Sequence, residues 1–206
     1  MNWEPHMRRR FVLLDRDGTI NVDRHYISRP EQVELLPGAA KGLRELSRLG
    51  LGLVVVTNQS GIGRGYFDES ALHAVHARLQ ELLQEAGVSL DGIFFCTHSP
   101  TAGCDCRKPA PGLVHKAAEE FGFDPREAFV IGDKPSDIEL GRAVGAITLL
   151  VRDNESSSTV GAGTRADYDV RDLTEAATVI GRFLRNDPNP GDEAKVAVMH
   201  GAEVSS

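Results

Sequence analysis

The chain has 206 residues, of which 41% are apolar, and a formal net charge of −7. That length suits one domain, the apolar share excludes a globally disordered chain, and the acidic balance argues against nucleic acid as a partner, because phosphate-backbone binders carry a basic surface. No apolar run approaches the roughly 20 residues of a membrane span, and the four apolar residues after Arg8, Arg9 and Arg10 fall short of a signal-peptide core, so the expected compartment is the cytoplasm.

In chain order, residues 1–10 read as an N-terminal arm. Phe11–Leu14 is an apolar strand running into Asp15. Pro37 opens a helical pattern through Leu43, Leu46 and Leu49, stopped by Gly50. Residues 51–56 form a β-branched buried strand ending at Thr57. After a glycine-rich turn, Asp68 caps a helix whose Leu72, Val75, Leu79, Leu82 and Leu83 recur at core spacing, and Gly87 ends it. Residues 93–96 form a third strand. Pro111 begins a helix that Gly122 stops, and residues 128–131 form a fourth strand leading to Gly132-Asp133. Pro135–Val144 reads as a helix and Ile147–Val151 as a fifth strand. A polar loop over 152–165, a short strand near Tyr168 and a helix over Leu173–Leu184 close a domain spanning 11–185. Residues 186–206, with Pro188, Pro190 and Gly191 and no periodicity, read as a disordered tail, with 196–199 the part that could order.

Alternating strands and helices predict an α/β fold: a doubly wound, Rossmann-like parallel sheet with helices on both faces. Ligands bind such sheets beyond the carboxyl ends of the strands. Asp15, Thr57-Asn58, the cysteines with Lys108, and Asp133 all fall at those ends.

The first cluster is Asp15-Arg16-Asp17-Gly18-Thr19. In extended chain the two carboxylates share a face, and close carboxylates repel unless a cation offsets them. With Asp133 arriving from another strand, an oxygen-rich cluster suits Mg²⁺. The second cluster holds all three cysteines of the chain: Cys96, Cys104 and Cys106, with His98. Three thiolates and one imidazole fill a tetrahedral zinc site and leave no open position, which is the pattern of a structural site. Such a zinc would clamp the loop that runs into Arg107-Lys108-Pro109. An odd number of clustered thiols also fits a reducing compartment.

Asp15-Arg16-Asp17-Gly18-Thr19, Thr57-Asn58, Lys108 and Gly132-Asp133-Lys134 with Asp137 resemble, in order and spacing, the four motifs of the haloacid dehalogenase superfamily. The resemblance implies a phosphatase in which Asp15 is the nucleophile and Asp17 the general acid and then base. It also implies that Thr57 and Lys108 hold the phosphoryl oxygens, and that Mg²⁺ is bound by Asp15, Asp133 and the Asp17 carbonyl. Asn21, the run Thr57-Asn58-Gln59-Ser60-Gly61, Arg64-Gly65 and Cys104-Asp105-Cys106-Arg107-Lys108-Pro109 narrow the likeness. They resemble the small, capless D-glycero-D-manno-heptose 1,7-bisphosphate phosphatases and the related histidinol-phosphate phosphatases. This implies a monomeric enzyme of heptose synthesis that removes the C7 phosphate of a sugar bisphosphate. Its substrate contacts would come from Asp23, Arg24, His25, Tyr26, Thr57, Asn58, Gln59, Ser60, Arg64, Arg107, Lys108 and Lys134. The span from His98 to Cys104 is short, leaving little chain for a pocket rim.

Other polar residues carry less. Gly61-Ile62-Gly63-Arg64-Gly65 lacks the Lys-Ser/Thr of a P-loop and reads as a flexible turn presenting Arg64. His73, His76 and His115 read as surface or packing residues. A histidinol-phosphate phosphatase or a broader sugar-phosphate phosphatase remains an alternative. A phosphorylated receiver is disfavoured by Asp17, and a zinc-stabilised binding module by the joint presence of Asp15, Asp17, Lys108 and Asp133.

Overall fold

A computed structural model describes residues 9–152 and 165–185. β1 (Phe11–Leu14) is wholly buried because its apolar side chains alternate between two helix layers. It pairs in parallel with β2 (Gly52–Asn58) on one side and β4 (Phe129–Gly132) on the other. β3 (Gly92–Cys96) extends the sheet beyond β2, and β5 (Ile147–Val151) and β6 (Tyr168–Val170) extend it beyond β4. The order is β3-β2-β1-β4-β5-β6, all parallel. The order reverses between β1 and β4, and in doubly wound sheets the crevice at that switch point receives the ligand.

One face of the sheet is covered by α1 (Ala39–Arg48), α3 (Glu69–Glu85) and α6 (Leu173–Leu184), which pack Leu43, Leu46, Val75, Leu79 and Ile180 onto Val12, Leu14, Leu53 and Val55. The other face carries α4 (Gly112–Phe121) and α5 (Pro135–Val144), which pack Leu113, Val114, Ala117 and Leu140 onto Phe11, Leu13, Val54 and Val56. No cap domain is inserted among the described residues. No helix among them is long and apolar enough to cross a membrane.

Two local expectations differ. The helix expected from Pro37 begins at Ala39, because Gly38 takes a left-handed conformation (φ 81°) that cannot continue a right-handed helix. The glycine-rich stretch expected as a flexible turn opens with α2, a single helical turn over Ser60–Gly63. It is held by the Gly63 N–H donating to the Thr97 carbonyl at 2.8 Å. The arm over 1–8, the loop over 153–164 and the tail over 186–206 lie outside the described residues.

Leu79 is fully buried in α3 against the sheet. Leu79→Ala should cost about 2–5 kcal/mol of unfolding free energy through lost burial and a residual cavity. The measurement is the shift in urea midpoint at unchanged m-value.

Candidate active site

Asp15 follows β1 directly, and its N–H extends the ladder to the Ile131 carbonyl of β4 at 2.9 Å. Its Oδ1 accepts the Arg16 N–H at 2.7 Å and the Lys108 Nζ at 2.8 Å. The Lys108 ammonium also forms an ion pair with Asp137 Oδ1 at 2.7 Å and donates to the Val56 carbonyl at 2.7 Å. Burial by itself lowers the Lys108 pKa; Asp137 and Asp15 outweigh it and hold the group above its ordinary value. Asn58 fixes the Lys108 backbone from β2: its Oδ1 accepts the Lys108 N–H at 3.0 Å and its Nδ2 donates to the Lys108 carbonyl at 3.2 Å.

Asp133 leaves β4 against the turn after β1. Gly18 there has φ +84°, and a Cβ on it would lie 2.3 Å from Asp133 Oδ2, so only glycine allows this approach. Oxygens of Asp15, Asp133 and Asp137 lie within 4.8 Å of one another. Burial raises the Asp133 pKa, Lys134 pulls it back, and Asp15 and Asp137 raise it again, leaving it at about 7. Hard oxygen donors with uncompensated negative charge fit a small divalent cation such as Mg²⁺. Asp137 was missing from the expected ligands. Its two oxygens serve Lys108 and the Lys134 N–H (3.0 Å), so it steadies the cluster.

The chain bends at Arg16, and the Asp17 carboxylate is held in a hydrogen-bond web of its own. Arg16 grips it with two bonds, Nε to Oδ1 at 3.1 Å and Nη2 to Oδ2 at 2.8 Å. Asn21 Nδ2 donates to Oδ1 at 2.9 Å, and Gln59 Nε2 to Oδ2 at 3.0 Å. The same Gln59 nitrogen lies 3.0 Å from the Thr57 hydroxyl, tying Asp17 to the end of β2. What Asp17 offers a cation is its carbonyl, which lies 3.5 Å from Lys134 Nζ. Arg16 and Asn21 were not among the expected site residues. Asn21 stood in the quoted motif, whereas nothing in the alternation of an extended strand turns Arg16 toward its neighbour.

A cavity of about 210 Å³ opens beside these groups, lined by Asp23, His25, Tyr26, Asn58, Gln59 and Ser60. His25 holds a left-handed backbone (φ 65°), and its N–H donates to Asp23 Oδ1 at 2.8 Å. The structure redirects several expected contacts. Arg24 pairs with Glu34 on the surface, Lys134 pairs with Asp23 at 3.1 Å, and Arg64 is exposed outside the cavity lining. Asn58 lines the cavity while its amide is engaged by Lys108. Arg107 Nη1 is buried with no hydrogen-bond partner.

Cys96, His98, Cys104 and Cys106 converge at the end of β3. Cys106 Sγ lies 3.1 Å from Cys96 Sγ, 3.4 Å from Cys104 Sγ and 3.2 Å from His98 Nδ1. These separations exceed the roughly 2.05 Å of a disulfide and approach the edge of a zinc tetrahedron with bonds of about 2.3 Å. Burial, then the Cys106 thiol, pushes Cys96 up to about 12, so joint ionisation of the thiols needs a cation among them. The donor set fits zinc. Its loop is bound to the active-site turn, as the Gln59 N–H donates to the Cys96 carbonyl at 2.7 Å.

The HAD-hydrolase-like family model matches residues 105–176. A D-glycero-beta-D-manno-heptose-1,7-bisphosphate 7-phosphatase of Pseudomonas aeruginosa is 41% identical over 156 residues, covering 75% of this chain and 88% of that protein. The chain belongs to this phosphatase family of HAD-like hydrolases. Its relative of the same name in Haemophilus influenzae is 36% identical over 183 residues, covering 84% of this chain and 98% of that protein. Among solved structures, a D,D-heptose 1,7-bisphosphate phosphatase from B. bronchiseptica, complexed with magnesium and phosphate, superposes with a TM-score of 0.78. It is 30% identical and covers 84% of this chain and 99% of that one. The family likeness accounts for the fold.

Two outcomes follow from the geometry. The purified protein should carry one zinc per chain, and Cys106→Ala should remove it, lower the melting temperature and reduce activity by freeing Lys108; metal analysis with a thermal melt measures both. Mg²⁺ must displace the proton that Asp133 holds below about pH 7. Calorimetric Mg²⁺ affinity should therefore rise by up to about tenfold per pH unit toward neutrality and level off above it.

Proposed function

We propose that residues 11–185 form a phosphatase domain that removes the C7 phosphate of D-glycero-D-manno-heptose 1,7-bisphosphate, leaving heptose 1-phosphate. The observation that carries the chemistry is the buried Lys108 ammonium bridging Asp15 and Asp137 at 2.8 and 2.7 Å, with a second aspartate, Asp17, separately clamped two residues on. An Asp15 oxygen attacks phosphorus and the bond to the sugar oxygen breaks. Asp17 gives that oxygen a proton, so the sugar leaves as an alcohol. Asp17 then takes a proton from water, whose oxygen attacks the aspartyl-phosphate. Inorganic phosphate departs and the Asp15 carboxylate is restored. Lys108 and the Thr57 hydroxyl hold the phosphoryl oxygens where negative charge gathers. Asp15, Asp133 and the Asp17 carbonyl would hold Mg²⁺, which supplies charge neutralisation and polarisation of the phosphoryl group when bound.

The relatives' substrate supports the choice of sugar bisphosphate, and so does Arg107. It adjoins Lys108 in the chain, and a guanidinium there can offer a second phosphate charge-assisted hydrogen bonds. Histidinol phosphate carries an ammonium instead. Asp23, a carboxylate that lines the cavity, already pairs with Lys134. Free clustered thiols support the reducing cytoplasm.

Asp15→Asn should abolish turnover of the bisphosphate while keeping a cooperative unfolding transition. Arg107→Ala should raise KM for the bisphosphate, but not for an aryl phosphate, by the equivalent of about 1.5–3 kcal/mol. Steady-state kinetics on both substrates checks these outcomes. A kcat/KM for histidinol phosphate equal to or above that for the bisphosphate would overturn the substrate while leaving the phosphatase reading intact.

A further inference from the structure

We infer that Arg16 is the positioning residue for Asp17, setting the orientation from which Asp17 transfers protons; this rests on the phosphatase reading above. Arg16 is the largest fully buried side chain of the described residues, at 1% exposure, although it stands between two aspartates in a turn. A buried guanidinium is costly unless paired. Among the described residues its one ion pair is the two-pronged grip on Asp17.

What lies behind it does not compete for that charge. His76, on α3, is buried with an unpartnered Nε2, and burial followed by the Arg16 charge keeps its pKa at about 3, so it is neutral. Arg16 Nη1 is likewise without a partner. The core thus tolerates an incompletely satisfied cation, where an apolar side chain of similar volume would serve stability as well or better. The benefit lies at Asp17. Two parallel bonds from a rigid planar fork fix both the position and the plane of a carboxylate, which one bond cannot. Asn21 and Gln59 hold its outer edges, and Gln59 links it to Thr57. Proton transfer needs a donor within hydrogen-bond reach and in line with the reacting oxygen, so the restraint acts on the chemistry through Asp17.

The test uses the full-length zinc- and Mg²⁺-loaded enzyme, the variant Arg16→Met, and two substrates. One is the heptose bisphosphate, whose alkoxide leaving group needs a proton. The other is p-nitrophenyl phosphate, whose leaving group needs little help. Arg16→Met should lower kcat for the bisphosphate by about 10–100-fold, part of the usual contribution of a general acid or base. With the aryl phosphate, stopped flow should show transfer to Asp15 at near the parental rate, followed by slow hydrolysis: a burst of one p-nitrophenolate per active site that the parent lacks. Arg16→Lys, which keeps the charge but has one prong, should show the same pattern with a smaller loss. It carries the test if the methionine variant does not fold. Equal losses on both substrates with no burst, or unchanged or faster turnover, would overturn the assignment. Failure of both variants to fold would make Arg16 a fold residue and overturn it too. Bisphosphate turnover surviving in Asp15→Asn would instead overturn the phosphatase mechanism itself, so the two failures are distinct.

Discussion

The site is organised around one buried ammonium. Lys108 holds Asp15 at the end of β1, Asp137 at the start of α5 and the Val56 carbonyl within β2, so a single cation ties together the parts of the sheet that meet at the switch point. Removing one partner of such a buried pair typically costs about 3–5 kcal/mol. Because the ammonium is satisfied by carboxylates rather than by water, it arrives at the reaction already desolvated. Electrostatic stabilisation of a transferring phosphoryl group needs this preorganisation.

Lys108 lies in a loop with no core of its own, and two devices hold that loop. Asn58 hydrogen-bonds both the N–H and the carbonyl of Lys108, a two-point contact between β2 and the loop. The second device is the Cys96–His98–Cys104–Cys106 cluster, which closes the loop immediately before Arg107-Lys108 and is bonded through the Cys96 and Thr97 carbonyls to Gln59 and Gly63. A metal in that cluster contributes its binding free energy to ordering the loop. Gln59 in turn reaches Asp17 and Thr57, so hydrogen bonds connect the cysteine loop to both of those side chains.

An acidic chain that handles phosphate must concentrate its positive charge. The described cations near the crevice are sorted by the carboxylates around them. Lys108 serves Asp15 and Asp137, Lys134 serves Asp23 and lies 3.7 Å from Asp133, and Arg16 serves Asp17. Arg107, with a buried unpartnered nitrogen, stands apart from that sorting. Asp133 shows the other side of the balance: burial and its neighbouring carboxylates leave it at about 7, a charge deficit that a divalent cation removes.

Local pattern was enough to read the strand–helix alternation, the apolar faces of α1 and α3, and the placement of Asp15, Thr57, Lys108 and Asp133 at strand ends, because hydrophobic period and strand-end position are properties of short stretches. The zinc cluster was legible for the same reason: its four ligands fall within eleven consecutive residues. Where side chains point was not legible. Asp15 and Asp17 read as neighbours on one extended face, and the partners that hold each, Lys108 for Asp15 and Arg16, Asn21 and Gln59 for Asp17, could not be read. Arg24 and Lys134 read as cations for substrate, yet Glu34 and Asp23 engage them. Arg16, quoted in the motif without a role, is the most deeply buried cation at the site, while Asp137, also quoted there, proved to be the second anchor of Lys108. Each of these depends on which partners the fold brings within reach, from Glu34, ten residues from Arg24, to Asp23, 111 residues from Lys134. The sequence by itself determined which residues could do the chemistry; only the tertiary structure decided which charges neutralise one another, because pairing depends on distances that no local pattern encodes.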